Sequence, residues 1–283
     1  MCMAFVLTSS AALAAPNAQS QKPARGGGSG KVSEPLGLDV SWPQCGKQLP
    51  NDFAFAVVGV NGGLATIPNE CLGDQLVWAQ QAKSTTSQAP VQLYVNTANP
   101  AEIIPDINSW PLNNYDPVGR IAPNPFGECD GTDSLACQWQ YGYNRAVEDV
   151  HFWFEPAATA AGVNAVASDY VWWLDVETEN TWRLGGTPAD YAGNVAVLEG
   201  MATYLDFIGA DVGLYSTGHQ WGLITGGAIS EQSNLKGLPN WRPGGANVKT
   251  AKQACSADPL TSGGNVVLTQ FISKNLDYNY ACP

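Results

Sequence analysis

Positive charge is what this chain has least of. Lys and Arg total 13 against 25 Asp and Glu, a formal net charge of −12. Nucleic acids and anionic membrane surfaces are met by basic patches, so neither is expected as a partner. Histidine is scarcer still, with only His151 and His219, and no C-x-x-C pair occurs. Zinc-ligand spacing is therefore missing, and neither a metal nor a cofactor is assigned. No run approaches the ~20 apolar residues of a membrane-spanning helix, so no membrane span is expected. Ser216 lacks a G-x-S-x-G elbow, which excludes that kind of hydrolase triad with His219. Asn61-Gly62-Gly63 reads as a turn, not as a phosphate loop. No internal repeat is visible.

What is present is apolar and aromatic. Hydrophobic residues make up 45% of 283, with 10 Trp, enough for a sizeable core in one large α/β domain or two small ones. A charged fraction of 13% beside many Gly, Asn, Ser and Thr suits a secreted protein and a neutral or sugar-like ligand. Residues 4–13 are mostly small and apolar, and Ala12-Leu13-Ala14 resembles a small-x-small cleavage site. No basic residue precedes them, so 1–14 is expected to be a signal peptide with its start missing or misassigned. Residues 15–34, including QSQKPARGGGSGK, read as a flexible linker. The folded domain is expected over 35–283, extracellular and monomeric.

Cys2 falls in the expected signal. Cleavage leaves Cys45, Cys71, Cys129, Cys137, Cys255 and Cys282, an even count that suggests disulfides in an exported chain. Spacing does not fix the connectivity; the simplest expectation is sequential pairing.

The chain is organised around VWWLDVETEN, residues 171–180. A short apolar run without helical period predicts a strand buried on both faces. Residues i and i+2 of a strand share a side, so Asp175 and Glu177 project together, with backbones ~6.6 Å apart. Such carboxylates are costly unless solvated, paired or used. Acids in differing environments are the usual equipment for cleaving glycosidic bonds. A strand-end salt-bridge cluster is the alternative, and cations are scarce. Trp172 and Trp173 would supply an apolar wall that raises the pKa of a general acid. The ~6.6 Å spacing is nearer the inverting range than the double-displacement range, and rotamers blur the difference.

Further strands are predicted at 36–41, 53–60, 91–95, 212–215, 238–241, 266–272 and 276–280. Helices are predicted at 71–83, 139–161, 188–208 and 220–224. Residues 100–136 are rich in Pro, Asn, Asp and Gly without period, the mark of a functional or disulfide-stapled loop. Strand–helix alternation points to a parallel sheet, and the strand number and strand-end acids favour a TIM-like β/α barrel, irregular, with fewer helices in the C-terminal part. The site would then gather Asp39, Asn96, Asp175, Glu177, Tyr215, Gln270 and Asp277 at strand ends.

In order along the chain stand Gly37-Leu38-Asp39-Val40-Ser41, the apolar 53–60 strand, Asp175-Val176-Glu177, Gly213-Leu214-Tyr215-Ser216, Gln270-Phe271 and Leu276-Asp277-Tyr278-Asn279. This succession resembles the glycoside hydrolase family 25 lysozymes, the N,O-diacetylmuramidases, in a divergent secreted bacterial branch of actinobacterial type. The resemblance implies a β/α barrel with a few unpaired strands at the end. It implies cleavage of the β-1,4 bond between N-acetylmuramic acid and N-acetylglucosamine in peptidoglycan, or of a related cell-wall polysaccharide. Matched to the motif, Glu177 is the general acid and Asp175 assists the substrate N-acetyl group or a water. Asp39 and Asp277 line the same pocket and tune the pair. The chain departs from the pattern at Val60-Asn61-Gly62-Gly63, at Asn96-Thr97-Ala98-Asn99 and in the 100–136 insertion.

Trp42, Trp110, Trp182, Trp221 and Trp241 fall in predicted loops or strand ends, where each either stacks on sugar rings or packs. Trp42 and Trp182 are taken as substrate-binding candidates, with Tyr215, Gln270 and Asn96. Two rival readings remain: a non-catalytic glycan-binding barrel, and a structural envelope protein whose acids bind Ca²⁺.

Overall fold

The computed structural model describes residues 34–100 and 109–283. The expected signal peptide and nearly all of the expected linker lie outside the described residues.

Eight strands close into one barrel in chain order: β1 Leu36–Val40, β2 Ala56–Gly59, β3 Val91–Asn96, β4 Val171–Asp175, β5 Asp211–Tyr215, β6 Asn240–Gly245, β7 Val266–Ser273 and β8 Leu276–Ala281. Neighbours from β1 to β7 pair in parallel. β8 runs antiparallel to both β7 and β1 and closes the ring. The closing strand corrects one expectation, because no strand at the end is left unpaired.

The period-2 alternation of each strand sorts its side chains. Leu38, Val58, Leu93, Val95, Trp172 and Leu174 face outward into the layer shared with the helices. Phe55, Val57, Trp173, Tyr215, Trp241 and Leu268 form a separate cluster inside the barrel. Trp173 fits because β5 carries Gly213 beside it. A Cβ there would fall 2.2 Å from the indole ring.

The helices are α1 Leu72–Ala79, α2 Leu135–Glu148, α3 Glu155–Ala161, α4 Pro188–Phe207, α5 Gly218–Thr225 and α6 Val248–Ala254. The single helix expected over 139–161 is α2 and α3 joined by a π-helical stretch, Asp149–Phe154. Pro156 cannot donate a backbone hydrogen bond, and the helix widens just before it. α4 starts where Pro188 predicted, capped by Thr187, whose hydroxyl accepts from Asp190 N. α6 is an addition. Only Ala251 of it is buried, so it shows no apolar period, and the Asn247 cap starts it.

Fewer helices were expected in the C-terminal part; there β5–β6 and β6–β7 each carry one short helix, α5 and α6, and none separates β7 from β8. Between β1 and β2 there is only a 3-10 turn, Trp42–Gln44. The predicted 238–241 strand moves to β6, because Pro243 and two register shifts let the chain stay extended through Gly245. The three disulfides are sequential: Cys45–Cys71, Cys129–Cys137 and Cys255–Cys282. The second staples the irregular 109–134 segment to α2.

Candidate active site

The strand register draws the acids to one rim. Asp39 is the partner of Asp277 across β1 and β8. Asn96, Asp175 and Tyr215 are successive partners across β3, β4 and β5, and Tyr215 pairs on with Trp241 of β6. Because β8 is antiparallel, Asp277 reaches this rim from the start of its strand rather than the end. A cavity of about 310 Å³ opens here. Asp39, Asp175, Glu177, Glu179 and Asp277 line it with no Lys, Arg or His. A larger cavity, about 480 Å³, lies at the other end of the barrel by Val171 and Asp211. Barrels of this type do their chemistry at the C-terminal rim, which is where the acids are.

The backbone bearing Asp175 and Glu177 is fixed on three sides. Asp175 O accepts from Thr97 N at 3.0 Å and from Thr97 Oγ1 at 2.7 Å. Val176 O accepts from Ser216 Oγ at 2.7 Å, so that hydroxyl is committed to structure. Glu177 O accepts from Trp182 Nε1 at 2.9 Å. Trp182 is 4% exposed and packs in the helical layer. Its place as a sugar-binding residue is therefore corrected: it lies behind the loop, not in the cavity, because a large apolar ring gains more from the helical layer than from the wet rim.

The acids differ in their surroundings. Asp39 accepts from Asn279 Nδ2 at 2.6 Å, and from Gln270 Nε2 at 3.1 and 3.2 Å on its two oxygens. Burial, reinforced by Asp277, pushes its carboxyl up, and these two amides pull it back. Asp175 has no such help, since its Oδ1 is buried without a partner. Burial first, then Glu177, Asp39 and Glu179, hold its proton on well above the usual range. Glu177 is half-buried, and desolvation, then Glu179 and Asp277, raise it to about 7 against an opposing Gln220 amide. Asp277 is raised by burial. None of these acids pairs with a cation among the described ion pairs, so a salt-bridge cluster does not account for them.

The remaining candidates sit around this core. Tyr215 donates to Gln270 Oε1 at 2.8 Å, so both side chains are engaged with each other and with Asp39. Asn96 Nδ2 donates to Asn61 Oδ1 at 2.8 Å. Trp42 stands at the cavity mouth, 52% exposed. Trp172 does not join the apolar wall. It faces outward, edge-on to Phe154, and the inner ring at this level is Trp173. Trp110 and Trp221 are buried. Among the described residues, no group of three or more His, Cys, Asp or Glu is arranged to hold a metal ion.

Tyr94, Ser41 and Glu179 also line the cavity and were not anticipated. Tyr94 is two residues before Asn96 and Glu179 two after Glu177. Alternation along β3 identifies Tyr94, whereas Glu179, four residues past the end of β4 at Asp175, lies where alternation no longer applies.

No known family profile matches the chain, and no curated protein matches it in sequence. Solved structures do match. The catalytic domain of endolysin ply40 from bacteriophage P40 of Listeria monocytogenes is 16% identical, over 90% of this chain and 95% of that one, with a TM-score of 0.47. The lysozyme of Streptomyces coelicolor is 14% identical over 89% and 93%, with a TM-score of 0.45. A family GH25 lysozyme from Aspergillus fumigatus is 13% identical over 88% and 94%, with a TM-score of 0.45. The likeness lies in the path of the chain, and the chemistry of the site rests on the residues above.

Proposed function

We propose that this protein is a secreted glycoside hydrolase acting on a bacterial cell-wall glycan, with a β-1,4 N-acetylmuramic acid–N-acetylglucosamine bond or a related envelope linkage as its target. The observation that carries this reading is Glu177, a half-buried carboxyl held to about 7 within a cation-free ring of acids. A general acid works best when its pKa lies near the operating pH. Glu177 gives its proton to the glycosidic oxygen as the C1–O bond breaks, and the bonding pair leaves with that oxygen. Water then adds to C1, and its proton returns to Glu177.

Asp175 offers the unpartnered Oδ1 to an N–H donor, and the acetamido group of an N-acetylated sugar carries one at the right position to assist at C1. Asp39, tied to two amides, is an anchored neighbour that tunes the pair and not the proton donor. Trp42 presents an exposed ring for the face of a neighbouring sugar. The three disulfides support export to an oxidising compartment.

The test is release of reducing ends from purified peptidoglycan and a panel of envelope polysaccharides, with wild type and Glu177→Gln side by side. Release by wild type alone supports the reading and names the polymer. Saccharide binding with no release from any polymer over days replaces it with a glycan-binding barrel.

A further inference from the structure

Glu179 has no place in the mechanism above, yet it lines the same cavity as Glu177, two residues further on. What links them is Gln220, in the first turn of α5. Thr217 caps that helix by accepting from Gln220 N at 2.9 Å, and the Thr217 hydroxyl also donates to Gln220 Oε1 at 2.9 Å. With its oxygen held, the Gln220 amide nitrogen must point at the acid loop. It donates to Glu179 Oε2 at 3.1 Å and reaches Thr178 Oγ1 at 3.4 Å. It also lies close enough to Glu177 to favour that residue's charged form. One amide thus faces two carboxyls, and its oxygen is held from behind by Thr217 while its nitrogen is left to serve either of them.

We propose that Glu179 and Gln220 are a positioning pair for Glu177: the Glu179 carboxylate holds the amide while Glu177 carries its proton, and the amide turns to Glu177 once that proton has passed to the leaving oxygen. Neither residue touches the reacting atoms. Glu179 acts by repulsion, favouring the protonated form of its neighbour, and Gln220 acts by hydrogen bonding, stabilising the charged form that follows. The proton simply moves from Glu177 to the leaving oxygen and later back from water. The other groups facing Glu177 are Asp175 at the end of β4, Asp277 at the start of β8, Asp39 at the end of β1 and Tyr215 at the end of β5, all acidic or neutral. Arg242, behind Gly218, donates to Asp258 O and does not line the cavity.

The inference deepens the glycosidase reading and rests on it, but its test does not depend on turnover. The carboxyl carbon of Glu177 in full-length protein, labelled with ¹³C-glutamate and identified by its loss in Glu177→Gln, is titrated by NMR. The wild-type midpoint is expected near 7. Glu179 is exposed and Gln220 half-exposed, so substitution leaves the fold standing, as a thermal melt of each variant verifies. Glu179→Gln is expected to lower the midpoint by about half to one pH unit, as a screened charge several ångströms away should. High salt shrinks that difference. Glu179→Asp restores most of it. Gln220→Leu is expected to shift the midpoint the other way. Where peptidoglycan is cleaved, the alkaline limb of the kcat profile moves with each midpoint. Midpoints unchanged, or moving together in one direction, overturn the pair. Shifts as expected in a protein that cleaves nothing leave the pair standing and overturn only the glycosidase reading.

Discussion

Gln270 places its amide nitrogen 3.1 and 3.2 Å from the two oxygens of Asp39, although the residues are 231 apart in sequence. The contact joins β7 to β1 across the closing strand, and Asn279 of β8 adds a third donor at 2.6 Å. Asp39 is thus the fixed acid of the ring, while Asp175 keeps one buried oxygen without a partner. Asn279→Leu removes the shortest of these bonds from a fully buried carboxyl. The expected cost is about 1–3 kcal/mol, seen as a lower urea midpoint at unchanged slope. An unchanged midpoint would mean that Asp39 is satisfied in another way.

Glu177→Gln keeps the shape and the hydrogen-bonding of the side chain but has no proton to give. A positioned acid is worth roughly 10²–10⁴ in rate, so kcat on a responsive glycan should fall by that factor with an unaltered melting curve. Wild-type kcat should fall as pH rises through about 7, where Glu177 loses its proton. A leaving group that needs no protonation, such as a nitrophenol, should recover much of the loss in the variant. Equal loss on both substrates would remove Glu177 from the acid role.

The same acids set the pH dependence of stability. Glu177, Asp175, Asp39 and Asp277 all hold protons more tightly folded than unfolded. Between the ordinary carboxylate range and their raised values the folded state binds more protons, so stability falls as pH rises. For Glu177 that window runs from 4.5 to about 7. Asp190, lowered by Thr187 and Arg183, works in the opposite direction at more acid pH. The melting temperature is therefore expected to be higher at pH 5 than at pH 7.5. Glu177 contributes about 2 kcal/mol once solvent screening is allowed for, or roughly 4–8 °C. Calorimetry across that range checks it. A melting temperature that climbs from pH 5 to 7.5 would contradict the raised values.

The inner and outer faces of the strands were readable from alternation alone, and that placed Asp39, Asp175, Tyr215 and Gln270 on one rim. The disulfides paired in the simplest way. Part of what escaped the sequence lay beyond regular elements. Trp182 and Glu179 both follow the end of β4, where no period says which way a side chain turns. Trp182 went into the helical layer and Glu179 to the cavity, and each was decided by tertiary neighbours. Trp172 and Trp173 are chemically identical in the sequence, and only the register of β4 sends one out and the other in. Gln220 was hidden because its role depends on Thr217 holding one end of its amide.

Trp42 carries the last prediction. It stands on the 3-10 turn between β1 and β2, a connection with no α-helix to brace it. Two features hold the turn instead. Cys45, directly after it, is bonded to Cys71 at the start of α1. Across the mouth, Gly63 leaves room for the indole: a Cβ there would fall 2.3 Å from Trp42 Nε1, and its φ of +84° suits only glycine comfortably. If the ring is a sugar platform, Trp42→Ala should raise KM about five- to tenfold, the loss of ~1 kcal/mol of aromatic contact, with kcat little changed. Gly63→Ala, which displaces the ring without deleting it, should raise KM in the same direction. The double variant Cys45→Ser/Cys71→Ser should lose about 3 kcal/mol of stability and raise KM as well, because the turn is freed. A fall in kcat at constant KM in Trp42→Ala would place the ring against the reacting bond and not beside it.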